Sequence, residues 1–167
     1  MPRDTVTALP CAARISSDLS FFADDSGHLY DWTTGAFSDT ATPMPSGASQ
    51  SVCGYAESAS GERIVVVAGG YDDRVMLYDL DTGIWTTADA PLPYDVSSAM
   101  SVPLGNTFVI VGGELDENYY SNRIMQFDPE TKDWIIRPER LQTGRSLAYA
   151  ALVTNDKVNC SFRKKES

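Results

Sequence analysis

The stretch IVVVAGG at residues 64–70, followed by LYDLDTGIW at 77–85, returns as FVIVGG at 108–113 and QFDPETKDW at 126–134. Tyr78 and Phe127 are 49 residues apart, as are Trp85 and Trp134, whereas the pairs Gly69-Gly70 and Gly112-Gly113 are offset by 43. The difference of six residues is an insertion in the loop after the second glycine pair. Self-similarity at a period near 50 residues marks an array of equivalent units, each burying its apolar faces only against its neighbours.

Each part of the unit has a physical reading. The runs 64–68 and 108–111 are short, continuous and β-branched or aromatic, the composition of a strand buried on both faces. The glycine pairs let the chain leave the sheet through conformations that a Cβ obstructs, and let a neighbouring backbone approach closely. Residues 75–80 and 124–128 are predicted third strands. Asp81-Thr82-Gly83 and residues 129–133 supply turn chemistry, and Trp85 and Trp134 open the fourth strands. Tyr78 with Trp85, and Phe127 with Trp134, then lie on adjacent strands of one hairpin and are expected in the core, as the wide aromatic surface on which a neighbouring sheet packs. First strands are expected at 51–56 and 97–102, rich in small residues that suit a crowded axis.

A weaker copy lies upstream. In LYDWTTGAF at 29–37, Tyr30-Asp31 takes the aromatic-Asp place, Thr34-Gly35 the turn and Phe37 the place of the Trp, but Ala23-Asp24 stands where a glycine pair is expected. Downstream, Gly144-Arg145 leads into LAYAALV at 147–153, a predicted first strand. A second-strand candidate follows at 157–162, then a basic tail at 163–167.

This signature resembles the kelch repeat, one blade of a β-propeller. The resemblance implies an all-β fold, an incomplete arc of about 3 to 3.5 four-stranded antiparallel blades. By position these fall at about 4–40 (degenerate), 47–89, 95–137 and a half blade at 143–162. No stretch sustains a helical period free of Gly, Pro and β-branched breakers. Propeller rings usually close with about four to eight blades, so an open arc exposes strand edges and apolar faces that soluble proteins avoid. Three outcomes follow: the chain belongs to a longer protein, two chains join their arcs into one ring, or the arc is unstable alone.

Composition and charge exclude several classes. Hydrophobic residues make up 43% of the chain and no apolar run reaches the length of a membrane span, so no membrane is expected as partner. A net charge of −10 argues against nucleic acid and anionic membranes, both of which attract basic surfaces. The N-terminal segment has no apolar core of a secretory signal, which makes the cytoplasm the default, with secretion the alternative if this start is truncated. Cys11, Cys53 and Cys160 are odd in number and far apart, so they are expected to be buried free thiols. Asn159-Cys160-Ser161 matches a glycosylation site that matters only in a secreted protein.

Function is expected on loops, since the sheets are scaffold. The loops from second to third strand share acidity: Asp24 and Asp25, then Tyr71, Asp72 and Asp73, then Glu114, Asp116 and Glu117 followed by Tyr119 and Tyr120. They are expected to form an acidic, tyrosine-bearing rim on one face, read either as solvated loop charge or as a docking surface for a basic segment of a protein partner. Arg137, Arg140 and Arg145 form a basic counterpart that could pair with these loops or cover apolar surface. His28 is the lone histidine and is expected to be structural. The galactose-oxidase relatives that the resemblance brings in need several His and Tyr for copper, a set this chain lacks, so no cofactor and no catalysis are expected. A non-enzymatic interaction module is therefore the leading reading, similar to kelch domains of ubiquitin-ligase adaptors or cytoskeletal proteins. The alternatives are a truncated enzyme or sugar-binding propeller, or a degenerate product without its own function.

Overall fold

The computed structural model describes residues 10–70, 72–116 and 119–150, apart from the side chain of Asp116. Blade 1 comprises β1 (Cys11–Arg14), β2 (Leu19–Ala23), β3 (Gly27–Asp31) and β4 (Ala36–Asp39). Blade 2 comprises β5 (Val52–Glu57), β6 (Arg63–Ala68), β7 (Val75–Asp79) and β8 (Trp85–Thr87). Blade 3 opens with β9 (Met100–Leu104) and β10 (Thr107–Val111). It continues, after a small hairpin of β11 (Glu114–Asp116) and β12 (Tyr119–Tyr120), with β13 (Arg123–Asp128) and β14 (Asp133–Arg140). Each blade is an antiparallel meander of four strands in chain order, and the inserted hairpin stands apart as its own two-stranded sheet. The six-residue insertion of the sequence is this hairpin.

Cross-strand register shows why the repeat is built as it is. The rows Tyr55↔Val65↔Tyr78↔Trp85 in blade 2 and Arg14↔Ser20↔Tyr30↔Phe37 in blade 1 occupy the same face, and Phe127↔Trp134 continues it in blade 3. In blade 2 this face packs on Ala13, Phe21 and Ala23 of blade 1; in blade 3, Phe108, Phe127 and Trp134 pack on Val66 and Leu77 of blade 2. The aromatic side of each blade thus turns toward the preceding one. Val65, Val66 and Val67 of β6 are all fully buried, because blade 2, among the described blades, has a neighbour on both faces. Gly54 lies where a Cβ would enter the Phe108 ring, so the small first-strand residue is a demand of blade packing.

The glycine pairs do the same work twice. Gly69 and Gly112 have φ of 73° and 72°, and Gly70 and Gly113 both have φ of 97°. A Cβ on Gly69 would collide with the carbonyl of Val96, and one on Gly112 with that of Arg145, the equivalent point in the next inter-blade segment. Gly70 N–H donates to Val96 O at 3.0 Å and Gly113 N–H to Arg145 O at 2.8 Å. Blade 1 lacks the glycine pair after its second strand and reverses the polarity: Ala48 N–H donates to Asp24 O at 2.6 Å.

Three expectations are corrected. Cys11 and Cys53 are joined in a disulfide with Cα atoms 5.4 Å apart, within the span such a bridge needs. Blade packing brings two distant first strands side by side, so spacing along the chain could not reveal it. The third first strand begins at Met100 and not Ser97, because Ser98 has φ of 52° and turns the chain, leaving Ser97 in an isolated bridge to Glu114. Residues 143–150 form no strand, with Leu147 at φ 48°; the remainder of the proposed half blade and the basic tail lie outside the described residues.

Candidate functional site

Loops from second to third strand and the segments joining blades meet at one end of the arc, tied by the glycine and Asp24 hydrogen bonds above. There the scaffold sets the acidic positions at equivalent points of successive blades, although no hydrogen bond among the described residues links one acidic loop to the next. Asp24 caps its own turn, accepting from Ser26 N at 3.0 Å, while Asp25 is exposed beside Gly47. Asp72 is already neutralised by Arg74 at 2.5 Å, and Arg74 also donates to Ser46 Oγ at 2.6 Å, which reduces the charge this loop presents. Asp73 is exposed, and its carbonyl accepts from Leu92 N at 2.7 Å. Tyr71 and Glu117 lie outside the described residues.

The inserted hairpin is the most prominent part of this rim. Glu114 pairs with Tyr120, and Glu114 N–H and C=O both bond Ser97, which fixes the hairpin to the inter-blade segment. Tyr119 and Tyr120 project from it at 72% and 50% exposure, beside the exposed Leu115. Ordered strands that hold two tyrosines outward form an amphipathic surface of the kind enriched in interfaces. The arginines expected as a counterpart bond locally: Arg137 to Glu139 and Gln126, Arg140 to the carbonyls of Arg137 and Glu139, and Arg145 to Thr143 O.

A second feature was not legible as a site. The first strands of all three blades border a cleft of about 480 Å³ on the arc axis, with Arg14, Ser16, Tyr55 and Thr107 among its polar groups. The small first-strand residues signalled axial crowding, yet they leave this space open. Tyr55 donates to Glu57 Oε2 at 2.8 Å, and burial, with help from that carboxylate, pushes its pKa up to about 12. Tyr55 therefore remains a neutral donor throughout the ordinary pH range.

His28 has partners that its sequence neighbours did not show. Its Nδ1 lies 2.9 Å from Asp39 across the β3–β4 ladder, and its Nε2 lies 2.9 Å from Ser26 Oγ and 3.8 Å from Asp24. Asp39 is 87% exposed and the axial cleft does not reach this group, so it ties two strands and a turn together. The aspartates of the aromatic-Asp pairs also gain a role: Asp31 accepts from the backbone N–H groups of Thr33 and Thr34, Asp79 from those of Asp81 and Thr82, and Asp128 from that of Glu130. Each closes the turn between third and fourth strands as an Asx cap.

No family model and no curated protein matches the chain. Among solved structures it is similar to that of YjhT, a β-propeller-like protein, at TM-score 0.63 and 12% identity. The match covers 86% of this chain and 53% of that one, so the chain spans about half the length of the structure it resembles. The likeness establishes the fold: this protein is an all-β arc of a β-propeller.

Proposed function

We propose that the chain is a non-enzymatic, kelch-type interaction scaffold whose loop rim docks a basic segment of another protein. The observation that carries this reading is the inserted hairpin. It interrupts the repeat to display Tyr119 and Tyr120 beside Glu114, with Asp25 and Asp73 on the equivalent loops. Tyrosine anchors would supply apolar contact, and the acidic loops would select for and steer a positively charged partner. A fluorescently labelled Lys/Arg-rich peptide, titrated at low and high salt, tests it. Salt-sensitive binding that weakens roughly tenfold in Tyr119→Ala/Tyr120→Ala is expected for anchor residues; absence of binding, or binding indifferent to both changes, overturns it.

The axial cleft supports a second reading, a site for a small polar ligand, in line with a sugar-binding or enzymatic propeller. A thermal-shift screen of neutral and anionic sugars against wild type and Tyr55→Phe separates it from the first, since the rim is left untouched.

The Cys11–Cys53 bridge supports the secreted alternative over the cytoplasmic default, because such bridges persist in oxidising compartments. Alkylation of the protein from its natural source without reductant, followed by mass spectrometry, should leave Cys11 and Cys53 unmodified. Labelling of both Cys11 and Cys53 overturns this reading.

A further inference from the structure

Among the described residues, two sheet faces at the ends of the arc lack the neighbour that equivalent faces have. On blade 1 the signature row is unpacked: Phe37 is 66% exposed, and Phe22, Tyr30, Trp32 and Phe37 form an aromatic cluster with ring centroids 4.5 to 6.0 Å apart. In blades 2 and 3 the same register positions hold Tyr78 and Trp85, or Phe127 and Trp134, all buried against the preceding blade. On blade 3 the opposite face is unpacked. Its row Val102↔Val109↔Gln126↔Ile135 corresponds to Gly54↔Val66↔Leu77↔Thr86 of blade 2, the row on which Phe108 and Trp134 sit. Val102, Val109 and Gln126 are partly buried, and Ile135 is 47% exposed.

We infer that a second copy of this chain covers both faces. The aromatic face of blade 1 would pack on the Val109 and Ile135 face of the partner's blade 3, and the reverse contact would form at the other side. The two open faces are the two halves of the interface that the arc already uses twice internally, so a second copy brings the required complement to each. Because different patches meet, the contact is heterologous, and such contacts close when the rotation per copy allows. Two arcs, each of the three described blades, make a ring of six. Closure would also complete the axial cleft with first strands from both copies. The inference uses none of the rim residues, so it stands or falls separately from the peptide-docking reading.

Light scattering after size exclusion on the full chain is the first test, with twice 18.2 kDa expected. Phe37→Asp and Ile135→Asp change residues exposed in the single arc, so each should leave the circular dichroism spectrum intact while shifting the mass to that of one chain. Mixing the two variants gives the decisive result. One contact in the mixed pair is then wild type on both sides, so association should return, at reduced affinity. A folded wild-type monomer, an open-ended polymer, or a dimer that mixing fails to restore overturns the inference.

Discussion

Tyr78 with Trp85 and Tyr30 with Phe37 are the same cross-strand pair in adjacent blades, with ring centroids 5.0 and 4.5 Å apart, yet Trp85 is buried and Phe37 is exposed. Nothing within either hairpin produces this difference. Trp85 has Phe21 of blade 1 beneath it at 5.9 Å, and among the described residues no blade packs on Phe37 in the same way. A repeat motif specifies what a face can pack against; the neighbour decides whether it is core.

The largest expected effect makes that contrast measurable. Trp85→Ala and Trp134→Ala should each cost about 3–5 kcal/mol, because each removes a large ring from a packed interface. Phe37→Ala should change the stability of the dissociated arc by no more than about 0.5 kcal/mol. Denaturant titrations at low protein concentration compare the three, and equal costs would show that the blade 1 face is covered within one chain.

The two internal interfaces are held differently, and that difference can be broken next. Between blades 1 and 2 the disulfide joins residues 42 apart in sequence, and the loop after β4 adds Thr42 Oγ1 to Gly83 O at 2.8 Å and Ala41 N to Tyr78 Oη at 3.1 Å. Between blades 2 and 3 there is a larger apolar cluster, with a Lys132–Glu62 ion pair at 2.7 Å. Reduction, or Cys11→Ser, should therefore lower stability by about 2–4 kcal/mol by releasing the unfolded chain from its cross-link. A melting temperature that is the same with and without reductant would count against the bridge.

A subtler asymmetry lies at the indole nitrogens. Trp85 Nε1 donates to Thr40 Oγ1 at 3.3 Å, whereas Trp134 Nε1 is buried without a partner among the described residues. Thr40 and Ala88 are equivalent, each donating its N–H to the start of the third strand of its blade, to Gly27 O and Val75 O respectively. Ala88 has no hydroxyl to offer. Ala88→Thr should consequently stabilise the protein by about 1 kcal/mol, the net worth of one hydrogen bond, measured by chemical denaturation. A loss of stability would mean that the interface has no room for the added atoms.

The smallest effect concerns the turn caps. Hydrogen bonds from Thr82 and Asp81 hold the Asp79 carboxyl below its ordinary value of 3.8, and those from Thr33 and Thr34 do the same for Asp31. The folded pKa is depressed, so this contribution is complete above 3.8 and fades as the pH falls through the lowered value. Asp79→Asn should cost roughly 0.5 kcal/mol at neutral pH, given solvent screening, and flatten the acid limb of the stability profile. An unchanged acid limb would remove Asp79 from that role.

Local chemistry carried much of this protein in readable form. The β-branched runs, the glycine pairs, the Asp-Thr-Gly turn and the 49-residue offset determined four-stranded units and their order, because strand propensity, left-handed backbone and turn capping act within a few residues. The inserted loop was legible as six extra residues, though not as a hairpin presenting Tyr119 and Tyr120. The buried rings of the two central repeats were legible too, but tertiary structure alone decided that Phe37 stays exposed, which cysteines meet, what His28 touches and where the axial cleft opens. Apart from the His28 contacts, which form between strands and a turn of blade 1 itself, each of those depends on surfaces brought together from separate blades, and the free energy of such contacts belongs to the pair of surfaces, not to either segment of chain.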